Sequence, residues 1–160
     1  MLYGRSAGAH LALLTAYADG GVPGVRGVVA LYPPTDLVWS WEHPTPERIL
    51  DTPTTLSEFM AGALSERREA YVAASPLSQV GPGAPPTLLV HGVRDELVWH
   101  EQSERLAAVL ETHGVPHVLL SLPWATHGCE ANLSGPSGQL LRATLEPFLA
   151  AVLAEDARGR

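Results

Sequence analysis

Lysine is absent from this chain, and all ten of its positive charges are arginines, which we read as coding bias. Set against 17 acidic residues they leave a formal net charge of −7, with no basic stripe. That balance argues against non-specific binding to nucleic acid. Cysteine occurs once, at Cys129, which excludes an intramolecular disulfide and a cysteine-based metal site. No apolar run approaches the roughly 18 residues of a membrane span. No basic segment followed by an apolar one marks a signal peptide. These absences lead to the expectation of a cytoplasmic protein, with any upstream targeting segment lying outside these residues. Asn132-Leu133-Ser134 fits a glycosylation pattern, which without a secretion signal is read as accidental. The H-E-x-x-H spacing of a metal site and a glycine-rich phosphate cradle are both missing, so no cofactor and no metal is expected.

What is present is 160 residues, 46% of them hydrophobic, with a mean hydropathy near zero. That suits one globular core and is short for two. Ala7 to Ala18 is dense in Ala, Leu and Tyr and reads as a buried helix stopped by Asp19-Gly20-Gly21. Val25 to Tyr32 (VRGVVALY) is a nearly continuous apolar run, as in a parallel strand covered on both faces; Thr87 to Val90 reads as a second buried strand and His117 to Leu122 (HVLLSL) as a third strand. Residues 35 to 57 read as an irregular excursion rich in Pro, Thr and Trp, and Ser57 to Val72 has helical spacing. The span 35–75 is accordingly expected to form a lid or a pocket wall. His100 to His113 predicts an amphipathic helix stopped by Gly114, and Ser137 can cap a last helix through Leu149. Strands alternating with helices imply an α/β fold of about three parallel strands with flanking helices and right-handed crossovers.

The chemistry begins at Gly4-Arg5-Ser6-Ala7-Gly8. A G-x-S-x-G pentapeptide running into a helix marks a nucleophilic serine on a sharp strand-to-helix turn, with the small residues Gly4, Ala7 and Gly8 permitting the close approach. Serine needs an adjacent general base to attack, and the backbone N–H of Ala7 would serve as oxyanion donor at the helix start. The plain alternative is a serine N-cap between glycines. Asp95, just past the Thr87–Val90 strand, and His127, just past the His117–Leu122 strand, follow in the order serine, acid, histidine. Neighbouring parallel strands would deliver both to the edge where Ser6 lies, Asp95 orienting the imidazole and His127 taking the serine proton. Asp95 could instead cap the following turn, and Asp36 is a rival acid at another strand end. His100 and His113 bracket a helix, and His117 opens a strand at the wrong end. His10, one turn beyond Ser6, reads as packing, His91 as a loop contact and Cys129 as a small packing residue. His43 has no assigned role.

The blocks GRSAGAHLAL, VVALYPPTDL, YVAASPLSQV, PPTLLVHGVRDELV and LPWATHG resemble α/β-hydrolase esterases of the alpha/beta-hydrolase-3 and hormone-sensitive-lipase-like groups. The resemblance runs from Gly4 to about Leu149 and concerns the C-terminal part of that fold only. It implies a partial α/β-hydrolase fold in one truncated catalytic domain, residues 1–160. It also implies a carboxylic-ester hydrolase with Ser6 as nucleophile, Asp95 as acid and His127 as base. A small or short-acyl ester would react through an acyl-enzyme, without cofactor, in a pocket lined or covered by Trp39 and Trp41, unless that segment is only a packed surface loop.

Arg5, Ala9 and Cys129 stand where the family often has an acidic or polar residue, a glycine and an aromatic. The family's H-G-G-G-type oxyanion loop, its first strands and the strand before the nucleophile have no recognisable counterpart. From this the Val25–Tyr32 strand is expected at an open edge that permits self-association, with Ser6 on a frayed terminus and half the oxyanion hole lost. Two other outcomes follow from the same residues. Asp95-x-x-Val98 with Gln102-Ser103 also resembles prolyl-oligopeptidase-type serine peptidases, and a fragment without its oxyanion loop could be catalytically inactive.

Overall fold

In the computed structural model, residues 1–18 and 22–158 are described, so the helix stop expected at Asp19-Gly20-Gly21 lies outside the described residues. Four strands form one parallel sheet in the order β1 (Leu2–Arg5), β2 (Val28–Leu31), β3 (Thr87–Gly92) and β4 (His117–Leu122). The register aligns Arg5, Leu31, Val90 and Leu120 in one row, so all four strands end at the same edge. Loops leaving that edge therefore meet, whatever their separation in sequence.

β1 adds one strand to the three read from the sequence. The residues before Ser6 look too few for a strand in isolation, but β2 supplies the partner. The Leu2 N–H donates to Gly27 O at 3.0 Å and the Ser6 N–H to Leu31 O at 2.9 Å. Ser6 is thus held by the sheet rather than frayed, and the flank of β2 is covered by β1. The open edge belongs to β1, where Tyr3 is exposed.

Strand periodicity sorts the side chains into two layers. Val28, Ala30 and Leu89 pack under α1 (Ala7–Tyr17) and α5 (Glu101–Thr112), with Leu13, Tyr17, Leu106 and Leu110. Val29, Leu31, Leu88 and Val90 face α6 (Pro136–Arg158), with Leu141, Phe148 and Val152. Ser137 lies inside α6 rather than capping it, and its hydroxyl accepts from the Trp124 indole at 3.1 Å.

The excursion is more regular than its composition suggests. It holds α2 (Leu37–Glu42), α3 (Thr52–Met60) and α4 (Leu64–Ala73), followed by a 3₁₀ turn at Pro76–Gln79. Asp36 and Asp51 cap α2 and α3 by accepting the Trp39 and Thr54 N–H groups. The helix expected over Ser57–Val72 is broken where Ala61 (φ 53°) and Gly62 (φ 152°) turn the chain. A third apolar cluster then forms around Leu37, Leu64 and Tyr71, joined by Trp41, Leu56 and Met60.

Candidate active site

Ser6 is the residue on which β1 turns into α1, and its backbone is strained, with φ 49° and ψ −125°. A non-glycine residue with positive φ persists only where its surroundings impose it. Here the ladder bond to Leu31 holds one side, and the first turn of α1 holds the other through the Ser6 carbonyl, which accepts from Ala9 and His10. Gly4 makes the turn sterically possible, since a Cβ there would overlap the Gly8 carbonyl. Gly8 is not required in the same way, as a Cβ at that position meets nothing. Ala7 opens α1, where N–H groups have no acceptor within the helix, and it lines the cavity beside Ser6.

The structure brings three of the sequence-predicted residues into one chain of hydrogen bonds. Asp95 is buried in the loop after β3, where its Oδ1 accepts the N–H groups of Leu97 and Val98, both at 2.9 Å. Its Oδ2 lies 2.7 Å from Nδ1 of His127, and Nε2 of His127 lies 3.1 Å from the Ser6 hydroxyl. A carboxylate accepts only, so Nδ1 carries the proton and the bare Nε2 accepts from Ser6 O–H. Burial alone would raise the Asp95 pKa. Hydrogen bonds from His127, His91 and the Val98 N–H outweigh it and hold Asp95 well below its ordinary value of 3.8.

Glycine again permits the approach of the histidine loop. A Cβ on Gly92 would overlap the Ala125 carbonyl, while Val93 and Arg94 donate to Leu122 O and Ala125 O at 3.0 and 2.9 Å. His91, fully buried at the end of β3, donates from Nε2 to Val98 O at 2.9 Å, with Asp95 Oδ2 3.3 Å away. Its Nδ1 therefore accepts from Ser103 Oγ at 2.7 Å. The loop contact expected of His91 is thus a contact on Asp95 itself.

Asp36, the rival acid, is turned elsewhere. It caps α2 and pairs with Arg105 at 2.7 Å. Burial, aided by the neighbouring Glu130 charge, pushes the Cys129 thiol up to about 11, which suits packing rather than nucleophilic chemistry. Among the described residues no group of three His, Cys, Asp or Glu side chains is placed to hold a metal ion. No helix there is long and apolar enough to cross a membrane.

A cavity of about 480 Å³ opens beside Ser6. The 35–75 segment contributes Leu37, Leu50, Leu56 and Phe59 to its wall, and Trp99 and His10 close other sides. Trp39 and Trp41, expected to line or cover it, are not among its lining residues. Trp41 packs edge-on against Tyr71 in the third cluster, and Trp39 stacks on His43 and takes the Arg105 guanidinium over its ring. Both lie on the short helix α2, whose cavity-facing positions are Leu37 and Ser40. Sequence reasoning missed Trp99 as a wall residue because it lies between Asp95 and α5 with no periodicity to place it.

The comparisons with known proteins agree with this architecture. Esterase LipC of Mycobacterium tuberculosis is 33% identical over 141 residues, covering 78% of this chain. The chain spans about a third of that curated relative's length, 33%. A puromycin hydrolase mutant crystal structure superposes with TM-score 0.74 at 25% identity, covering 96% of this chain and 22% of that one. A thermophilic esterase from the Planctomycetes species Thermogutta terrifontis superposes with TM-score 0.70 at 23% identity, covering 94% of this chain and 54% of its own. These likenesses assign the parallel sheet and its helices to part of the α/β-hydrolase fold. The BD-FAE family model matches residues 1–110, more than half of the sequence, and the chain belongs to the BD-FAE family.

Proposed function

We propose that the chain is a serine carboxylic-ester hydrolase acting on small or short-acyl esters, with Ser6 as nucleophile, His127 as general base and Asp95 as its orienting acid. The observation that carries this reading is His127 bridging Asp95 Oδ2 and Ser6 Oγ at 2.7 and 3.1 Å. His127 takes the Ser6 proton as Oγ attacks the ester carbonyl, then protonates the departing alcohol. Water, activated by the same imidazole, then releases the acid from the acyl-enzyme. Asp95 keeps the proton on Nδ1 and balances the imidazolium as it forms. The Ala7 N–H is the oxyanion donor in this scheme. One donor of such a pair is typically worth about 10²–10³ in rate.

The mostly apolar cavity beside Ser6 supports a small acyl or aromatic group as the substrate part it takes. Within this scheme the 35–75 segment acts as its wall, in a single catalytic domain spanning 1–160. The test is reaction of the purified chain with a fluorophosphonate probe and with p-nitrophenyl acetate or butyrate. Labelling and turnover that vanish in Ser6→Ala are expected. Labelling that survives Ser6→Ala would overturn the assignment, and a folded chain that never labels would favour an inactive hydrolase relative. Asp95-x-x-Val98 with Gln102-Ser103 makes a peptide anilide the informative second substrate, since cleavage of it in preference to the esters would favour a peptidase.

A further inference from the structure

Tyr32 is the first residue past β2 and has φ 41°, an unusual conformation for a bulky aromatic. Strain of this kind costs about 1–3 kcal/mol and persists only where neighbouring contacts hold it. Those contacts converge on His127. The Tyr32 ring packs on the imidazole with centroids 4.3 Å apart and planes inclined by 59°. Its hydroxyl donates to Oε1 of Glu130 at 2.6 Å, and burial, reinforced by that bond, pushes the hydroxyl pKa up and keeps it a donor. The same Oε1 receives the Arg5 guanidinium at 2.8 Å. One carboxylate therefore joins the residue before Ser6, the end of β2 and the loop that carries His127.

Stability does not account for this carboxylate. Glu130 is buried and its Oε2 has no hydrogen-bond partner among the described residues, while Arg5 is more than half exposed. Buried charges so poorly satisfied are often replaced by apolar side chains at no loss of stability. The imidazole, by contrast, gains something specific. Hydrogen bonds at its two nitrogens set the ring's direction but leave it free to tilt about the line joining them, and a fixed aromatic face restrains that tilt.

We propose that Tyr32, anchored through its hydroxyl to Glu130, is a positioning residue that holds the His127 imidazole between Asp95 and Ser6. This rests on the reading of Ser6 as nucleophile and His127 as base. The role extends to Glu130, which fixes Tyr32 and pins the histidine loop to the Ser6 turn through Arg5.

The test is the double variant Tyr32→Phe/Glu130→Met of the full chain, which removes both buried polar groups while conserving volume. We expect its Tm to equal or exceed that of the parent, with KM for p-nitrophenyl butyrate within about twofold. The value of kcat should fall about tenfold or more, as small displacements of a base do. The downfield proton resonance of the Asp95–His127 hydrogen bond, identified by its loss in His127→Ala, should broaden or disappear, and this readout needs no turnover. Unchanged kcat with an unchanged resonance would overturn the proposal. If the double variant unfolds, Tyr32→Phe alone is read by the same two measures. Ser6→Ala separates the two claims. Turnover that survives it refutes the nucleophile assignment, while the resonance still decides whether Tyr32 and Glu130 hold His127.

Discussion

At the scale of single residues, Asp95 shows how burial and hydrogen bonding compete. Its carboxylate has lost water, yet three donors reach it, from the Leu97 and Val98 amides and the His127 ring, with the His91 ring nitrogen 3.3 Å away. The folded pKa is depressed below 3.8, so the folded state resists protonation there more than the unfolded chain does. The stability this contributes is complete above about pH 4 and is lost as pH falls through the lower folded value. We therefore expect the parent's Tm to drop more steeply below about pH 4 than that of Asp95→Asn, measured by thermal melts across pH. The same substitution bears on chemistry. An asparagine amide can donate to Nδ1 and stabilise the wrong tautomer, so esterase kcat should fall by about 10⁴ with little change in substrate binding. His10 shows the opposite balance: burial lowers its pKa, Nδ1 donates to Pro34 O at 2.9 Å, and the imidazole stays neutral in the cavity wall.

At the scale of elements, close approach decides function. β1 and α1 meet at Gly4 so tightly that a methyl group would strike the Gly8 carbonyl. Gly4→Ala should destabilise the chain by about 1–3 kcal/mol, as overpacking does, and should slow Ser6 labelling, both measurable on one preparation. The wall of the cavity depends on a different junction. Gln102, on α5, accepts the Thr35 and Asp36 N–H groups at 2.7 and 2.8 Å and donates to Asp36 O and the Ser40 hydroxyl. Gln102→Leu would leave two buried amide donors unpaired, each costing about 1–3 kcal/mol. A lower urea midpoint and a raised KM are the expected results, because Pro34, Leu37 and Ser40 all line the cavity.

At the scale of the whole molecule, the sheet has β1 and β4 as its outer strands. The outer side of β1 is short, and Tyr3 is 59% exposed on it. Such an edge is a template for pairing with a second chain. We expect concentration-dependent self-association in sedimentation velocity, weakened by Tyr3→Lys, since a charged lysine is a common edge blocker. An unchanged distribution in Tyr3→Lys would place any association elsewhere. The net charge of −7 opposes such contacts at low salt, so association should rise with ionic strength.

Local pattern determined a great deal here. Apolar runs located β2, β3 and β4, His117–Leu122 to the residue; β2 and β3 are buried throughout, which is where continuous apolar character is needed, whereas β4 is mostly half-buried with Val118 exposed. The order of Ser6, Asp95 and His127 at element ends made them readable as candidates, since parallel strands send their loops to one edge. What the sequence could not decide depended on partners distant along the chain. Leu2–Arg5 is a strand only because β2 accepts and donates its hydrogen bonds. Trp39 and Trp41 look like pocket aromatics by type, yet the third cluster and Arg105 hold them away from the cavity. Tyr32 and Glu130 carry no motif, and 98 positions separate them until the sheet edge brings them together. Periodicity and residue type act over a few positions, whereas the placement of an imidazole to within an ångström is set by packing among strands, and only the folded chain supplies that.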